Sequence, residues 1–182
     1  MTAFAQRQFD NDRPGPLQFR QRTIGVADLL VSNARSDVLV TFALGSCIGV
    51  TLYDPVVRAA GLLHFQLPEA PQDDNLPNAA LYGDTGFELL MQKMIQLGAE
   101  KRRLIATVAG GANMLTQART FDIGRLNTEM VRDCLREARL RPACVDIGGT
   151  VPRTMYLRVA DGAVKLRTFK QSIWLHRGSR TT

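Results

Sequence analysis

Cys47 and His64 carry the two side chains of this sequence best suited to attacking a carbonyl carbon. A thiol becomes a strong nucleophile once deprotonated, and an imidazole can accept its proton. They lie in the stretch Thr41-Phe-Ala-Leu-Gly-Ser-Cys47-Ile-Gly-Val-Thr-Leu-Tyr53-Asp-Pro55, followed by Gly61-Leu-Leu-His64-Phe-Gln-Leu-Pro68. Apolar residues recur at strand density on both sides of Asp54-Pro55, which is turn chemistry, so the stretch reads as a β-hairpin. A turn over residues 54–57 sets Cys47 directly opposite His64, with Cβ atoms roughly 4.5–5.5 Å apart. A two-residue change in the turn would move the partner. At this level a second reading stands beside the Cys–His dyad: a free cysteine is often a buried, small hydrophobic residue.

Thr41 begins the same stretch. On a straight strand it would lie about 20 Å from Cys47, at roughly 3.3 Å per residue. A sharp bend at Gly45-Ser46 could bring the two together, since glycine reaches positive φ without steric cost. A bulge with no catalytic meaning gives the same sequence pattern.

The remaining elements supply the frame. Strands are expected at Ile24–Ser32, Asp37–Ala43, Leu104–Val108, Ala143–Ile147, Thr154–Val159 and Val164–Phe169, the last two joined at the hairpin signal Asp161-Gly162. A helix should start at Thr85, with Glu88 completing a capping box, and stop at Gly98; Phe87, Leu90, Met91 and Met94 form its apolar stripe. A second helix should start at an Asn127 cap and run to Leu140, with Val131, Cys134, Leu135 and Ala138 facing the core. Strands outnumber helices and hairpins outnumber crossovers. The expected fold class is therefore α+β, a layered arrangement of mostly antiparallel or mixed β-sheets packed with helices.

Residues 1–22 read as a flexible arm, 23–170 as one domain, and 171–182 as a basic tail. The long segment from Pro68 to Asp84, with three prolines and four acidic residues, reads as a surface loop that serves as a lid or partner contact, or as plain surface. In Gly110-Gly111-Ala112-Asn113-Met114 a strand runs into a turn whose N–H groups could face an anion. It lacks both the lysine of a P-loop and the spacing of a dinucleotide site, so a tight turn beside the site is the favoured reading.

Composition narrows the class. The chain of 182 residues is 45% hydrophobic and 22% charged, suited to one globular core. It has no long uninterrupted apolar run and no apolar signal core near the N-terminus, so neither membrane insertion nor export is expected, and a cytoplasmic location is. Three dispersed cysteines, Cys47, Cys134 and Cys144, argue against a disulfide framework and against structural zinc. No metal or cofactor site is expected. The net charge of +6 is uneven: residues 36–100 hold 2 basic against 8 acidic residues, and residues 101–182 hold 16 against 6. The basic residues alternate with apolar positions and accompany no aromatic ladder, so a nucleic-acid partner is not expected.

Taken together, Leu44-Gly45-Ser46-Cys47-Ile48-Gly49-Val50, Leu52-Tyr53-Asp54-Pro55, Gly61 and His64 to Pro68 resemble the CheD family of chemoreceptor glutamine deamidases. Gly110 to Met114, Ile123-Gly124 with Asn127, and Asp146-Ile147-Gly148-Gly149 look like the later blocks of that family in the same order. Pro152, where a glycine is expected, and Leu126, between Gly124-Arg125 and Asn127, depart from the pattern.

The resemblance implies a catalytic set of Cys47, His64 and Thr41 and no cofactor. It implies hydrolysis of glutamine side-chain amides on the cytoplasmic helices of chemotaxis receptors, with methyl-ester hydrolysis beside it, and a CheC-type phosphatase as regulatory partner. In that chemistry an imidazolium beside Cys47 would lower the thiol pKa, and Thr41 would orient the His64 ring. Backbone N–H groups of Gly45, Ser46 and Cys47 would receive the oxyanion, and Phe65 and Gln66 would contact substrate. Two other classes remain open: a non-catalytic adaptor that binds receptors or a phosphatase, and a Cys-dependent amidase or esterase with another substrate.

Overall fold

The strand expected over Ile24–Ser32 is two strands. Ala27, at φ 57, breaks the extended backbone and separates β1 (Arg20–Ile24) from β2 (Asp28–Ser32). β1 therefore starts inside the stretch read as an arm. The computed structural model describes residues 19–72, 76–113 and 122–178. Residues 1–18 of the expected arm, 73–75 of the acidic loop, Met114 and tail residues 179–182 lie outside the described residues.

The other strands are β3 (Asp37–Leu44), β4 (Ile48–Asp54), β5 (Ala59–Phe65), β6 (Ile105–Gly110), β7 (Pro142–Ile147), β8 (Arg153–Arg158), β9 (Val164–Arg167) and β10 (Ser172–His176). They form two five-stranded sheets, in the orders β1-β3-β8-β9-β10 and β2-β5-β4-β6-β7. Both are mixed, since β1 runs parallel to β3 and β6 to β7 while the other pairs are antiparallel. The fold is α+β and layered, as the strand count and hairpin signals implied. The stretch beyond Lys170, read as tail, adds β10 to the first sheet, with Lys165 Nζ 5.0 Å above the Trp174 ring.

Two α-helices, α1 (Gly83–Gln96) and α2 (Ile123–Glu137), and two short 3₁₀ turns, Ala79–Leu81 and Lys101–Arg103, complete the described residues. Both α-helices begin earlier than their expected caps. Tyr82 precedes α1 without a side-chain cap, and the Thr85 hydroxyl instead donates to Ala79 O at 2.8 Å. Asp122 caps α2, accepting from Arg125 N at 3.0 Å, which leaves Asn127 inside the helix.

Period-two alternation sorts each strand between two interiors. In β5, Ala60, Leu62 and His64 face the space between the sheets, where Leu39, Leu44, Met155 and Leu157 pack. Ala59, Leu63 and Phe65 face the helices, against Phe87, Leu90 and Met94 of α1 and Val131 and Leu135 of α2. Each such fully buried large side chain contributes about 1.5–3 kcal/mol. In β3, Leu39 and Thr41 point inward, and Val38 and Val40 point to the outer face with Tyr156.

β3 and β4 are consecutive in sequence and belong to different sheets. Residues 45–47 are the crossover between them.

Candidate active site

The hairpin of β4 and β5 exists, in a different register from the expected one. Gly49 faces His64, Ile48 faces Phe65 and Asp54 faces Ala59, around a four-residue connection, Pro55–Arg58, with Arg58 at φ 52. The cause is Asp54. It is fully buried, with its carboxylate held by the Arg103 guanidinium at 2.8 Å and by Glu100 N at 2.9 Å, and it also accepts from Val56 N at 2.9 Å, so it opens a four-residue connection in place of the expected two-residue turn. Cys47 consequently has no cross-strand partner. It sits in the crossover bend, half-buried against the inter-sheet core.

Thr41 and His64 meet across the two sheets. Thr41 Oγ1 lies 2.7 Å from His64 Nδ1 and 2.9 Å from Ile24 O, to which it donates. A hydroxyl has one hydrogen. With that hydrogen on Ile24 O, Thr41 Oγ1 accepts from Nδ1–H, and the neutral ring carries its free lone pair on Nε2. Nε2 is buried and has no partner among the described residues.

The bend that carries Cys47 is held from behind at three successive carbonyls. Gly45 O accepts from Ala112 N at 2.7 Å, Ser46 O from Asn127 Nδ2 at 2.9 Å, and Cys47 O from Gly111 N at 2.8 Å. The N–H groups of Gly111 and Ala112 thus hold the bend and are not turned toward an anion. A Cβ on Gly110, whose φ is 119, would collide with Cys47 O. The crossover and β6 touch too closely there for any side chain.

The left-handed residue is Ala43, at φ 56 near the end of β3, and not Gly45. It coincides with a register shift between Thr41 and Leu44 against β8. Gly45 N donates to Ala43 O at 2.7 Å, which removes it from the expected oxyanion donors. Neither Ser46 N–H nor Cys47 N–H donates to a backbone carbonyl among the described residues, and the Cys47 N–H faces its own sulfur.

Burial favours the uncharged form of both reactive groups. It pushes the Cys47 thiol up, opposed by its own N–H facing the sulfur, and it pulls His64 down to about 4. At neutral pH the site therefore holds a thiol and a neutral imidazole, in place of the expected low-pKa thiolate beside an imidazolium.

Two expected substrate contacts divide. Phe65 is fully buried on the helix side of β5 and cannot touch a substrate. Gln66, one residue further, is exposed. A surface cavity of about 620 Å³ opens next to the bend, lined by Ala43, Arg153 and Thr154 and by the exposed rings of Phe42 and Phe169. Phe42 follows Val38 and Val40 on the outer face of β3 by simple alternation, and it is exposed there. Asn127 was misread as a cap. Its spacing to Val131 and Leu135 on one stripe was the signal that it is a buried polar residue.

This is an α+β scaffold in which a sheet-to-sheet crossover carries a thiol and an inter-sheet contact orients an imidazole. The chain belongs to the CheD family. The family model described as CheD chemotactic sensory transduction matches residues 66–168. A relative from Thermococcus kodakarensis, "Probable chemoreceptor glutamine deamidase CheD", is 40% identical over 146 residues, covering 79% of this chain and 90% of its own. Relatives of the same name from Desulforamulus reducens (40%, covering 80% and 89%) and Clostridium botulinum (41%, covering 79% and 90%) are similar to it to the same degree. Among solved structures, the Bacillus licheniformis hypothetical protein YfiH is 13% identical with a TM-score of 0.42, covering 65% of this chain and 49% of that one, too distant to carry an argument. Among the described residues, no helix is long and apolar enough to cross a membrane.

Proposed function

We propose that this chain hydrolyses the side-chain amide of glutamines on chemoreceptors, giving glutamate and ammonia, with Cys47 as nucleophile. Family membership and the names of its relatives support the substrate class. The observation that supports the chemistry is the 2.7 Å contact between Thr41 Oγ1 and His64 Nδ1, which leaves the buried, unpartnered Nε2 as the base nitrogen.

His64 Nε2 removes the thiol proton as sulfur attacks the glutamine Cδ. The carbonyl oxygen becomes an oxyanion facing the N–H groups of Ser46 and Cys47, each worth roughly 3 kcal/mol when well aimed. Collapse breaks the C–N bond, and Nε2–H supplies the proton that the nitrogen needs to leave as ammonia. A thioester on Cys47 remains. His64 then deprotonates a water, which attacks the same carbon and releases glutamate and the thiol. A glutamyl methyl ester would follow the same route with methanol leaving.

Because both groups start neutral, proton transfer accompanies attack. Thr41, itself neutral, fixes the ring and its tautomer and adds little charge stabilisation to the imidazolium. The cavity beside Phe42 and the exposed Gln66 are the faces on which a receptor helix would rest. Family resemblance supports a CheC-type phosphatase as regulatory partner and the cytoplasm as the place of action.

The test is incubation with purified receptor cytoplasmic fragments and mass spectrometry of their glutamines. The wild type should convert specific glutamines to glutamate, and Cys47→Ala should convert none while melting at the wild-type temperature. Retention of every glutamine by the wild type would sink the substrate class. A Cys47 that also resists a small alkylating agent would favour the adaptor reading.

A further inference from the structure

We infer that Asn127 is a positioning residue of the proposed reaction: its side-chain amide sets the direction of the Cys47 N–H and ties that peptide to the end of the strand that carries His64. This rests on the amide-hydrolysis reading above.

Asn127 is fully buried in α2. Its Nδ2 donates to Ser46 O at 2.9 Å and to Gln66 O at 2.8 Å. With two carbonyl oxygens as neighbours, only the NH₂ end of the amide can face them, so its orientation is decided by chemistry. Oδ1 is left buried with no partner among the described residues, which costs stability. Val131 and Leu135 share its stripe, and an apolar side chain there would avoid that cost. The position keeps an asparagine whose benefit lies in what Nδ2 holds.

What it holds is the peptide between Ser46 and Cys47. A trans peptide is planar, so its C=O and N–H point in opposite directions. Drawing Ser46 O toward α2 turns the Cys47 N–H away from the helix, onto the side of the sulfur, which that N–H faces. The preceding peptide is turned likewise, because Gly45 O is drawn back by Ala112 N. The second Nδ2 hydrogen holds Gln66 O, two residues beyond His64. One amide thereby joins the oxyanion peptide to the strand of the base. Gly111 and Ala112 hold the bend through backbone N–H groups, which persist in any side-chain variant, whereas the Asn127 tether can be removed by mutation.

The experiment compares Asn127→Ala and Asn127→Asp, which keeps the volume, with the wild-type protein. It measures kcat and KM for receptor-fragment deamidation, the rate of Cys47 alkylation by iodoacetamide, and Tm. Alkylation displaces iodide and forms no oxyanion, so it needs the thiol but not an aimed N–H. A kcat lower by about 10²-fold is expected, the size of a lost oxyanion donor. KM and the alkylation rate should stay within about twofold of wild type.

Unchanged kcat would overturn the inference. So would alkylation falling in step with kcat, or both variants failing to fold, since Asn127 would then only support the fold. An inactive wild-type protein would instead remove the reaction itself, and with it this role, so the two failures are told apart by the wild-type arm.

Discussion

Thr41 Oγ1 and His64 Nδ1 are 2.7 Å apart although the two residues belong to different sheets and neither is exposed to solvent. Because Thr41 gives its only hydroxyl hydrogen to Ile24 O, the contact also selects the imidazole tautomer. Thr41→Val keeps the shape and removes the hydroxyl. It should lower kcat on the order of 10²-fold, in the range of a misplaced general base. It should also cost about 1–3 kcal/mol, because Ile24 O and Nδ1–H are left buried and unpaired. Thr41→Ser should recover most of both. Equal activity of wild type and Thr41→Val in the receptor-fragment assay would exclude the orienting role.

The protonation states predict how Cys47 reacts with pH. A preformed thiolate–imidazolium pair would alkylate at a rate nearly flat across the neutral range. With burial raising the thiol and lowering His64, the rate with iodoacetamide should climb with pH, and its midpoint should lie above that of an ordinary thiol. A plateau reached below pH 7 would contradict this.

Fold stability should depend on the same histidine. His64 titrates at about 4 in the folded protein and near 6.5 unfolded, so between these values the unfolded chain binds more protons. The contribution is fully present above pH 6.5 and is lost as pH falls toward 4, about 3 kcal/mol in all. Denaturant titrations at a series of pH values should show this slope in wild type and its loss in His64→Gln. A stability curve with the same slope in both proteins would contradict the burial account.

Gly110→Ala tests the close approach of β6 to the crossover. Its φ of 119 is strained for any other residue, and the new Cβ would collide with Cys47 O. The strain alone is worth roughly 1–3 kcal/mol. Tm should fall, and deamidation should fall further than the melting shift explains, because the bend bearing Cys47 has to move. Gly148→Ala, at φ 79 in open space, controls for backbone strain without the collision and should lower Tm less.

Residue types and local pattern were enough to point to Cys47 and His64, to read a hairpin around Asp54, and to assign an α+β class, while Thr41 joined the expected set through the family resemblance. Those features depend on short-range periodicity and on turn chemistry, which neighbouring residues dictate. The hairpin's register was not legible, since Asp54 opens a four-residue connection while Arg103 and Glu100, far along the chain, hold its carboxylate in the interior. Phe65 was read as a substrate contact on the surface around Cys47, yet alternation turns it into the core beneath α1. Asn127 was read as a cap because asparagine favours caps, and the capping position went to Asp122.

By itself the sequence determined which side chains have the chemistry and which segments are extended or helical. Only the tertiary structure decided that β3 and β4 part into different sheets, placing the Cys47 bend at their crossover and Thr41 against His64. It also decided that both reactive groups start uncharged, because a residue's pKa follows the depth of its burial, and depth is a property of the packed layers and not of neighbouring residues in the chain.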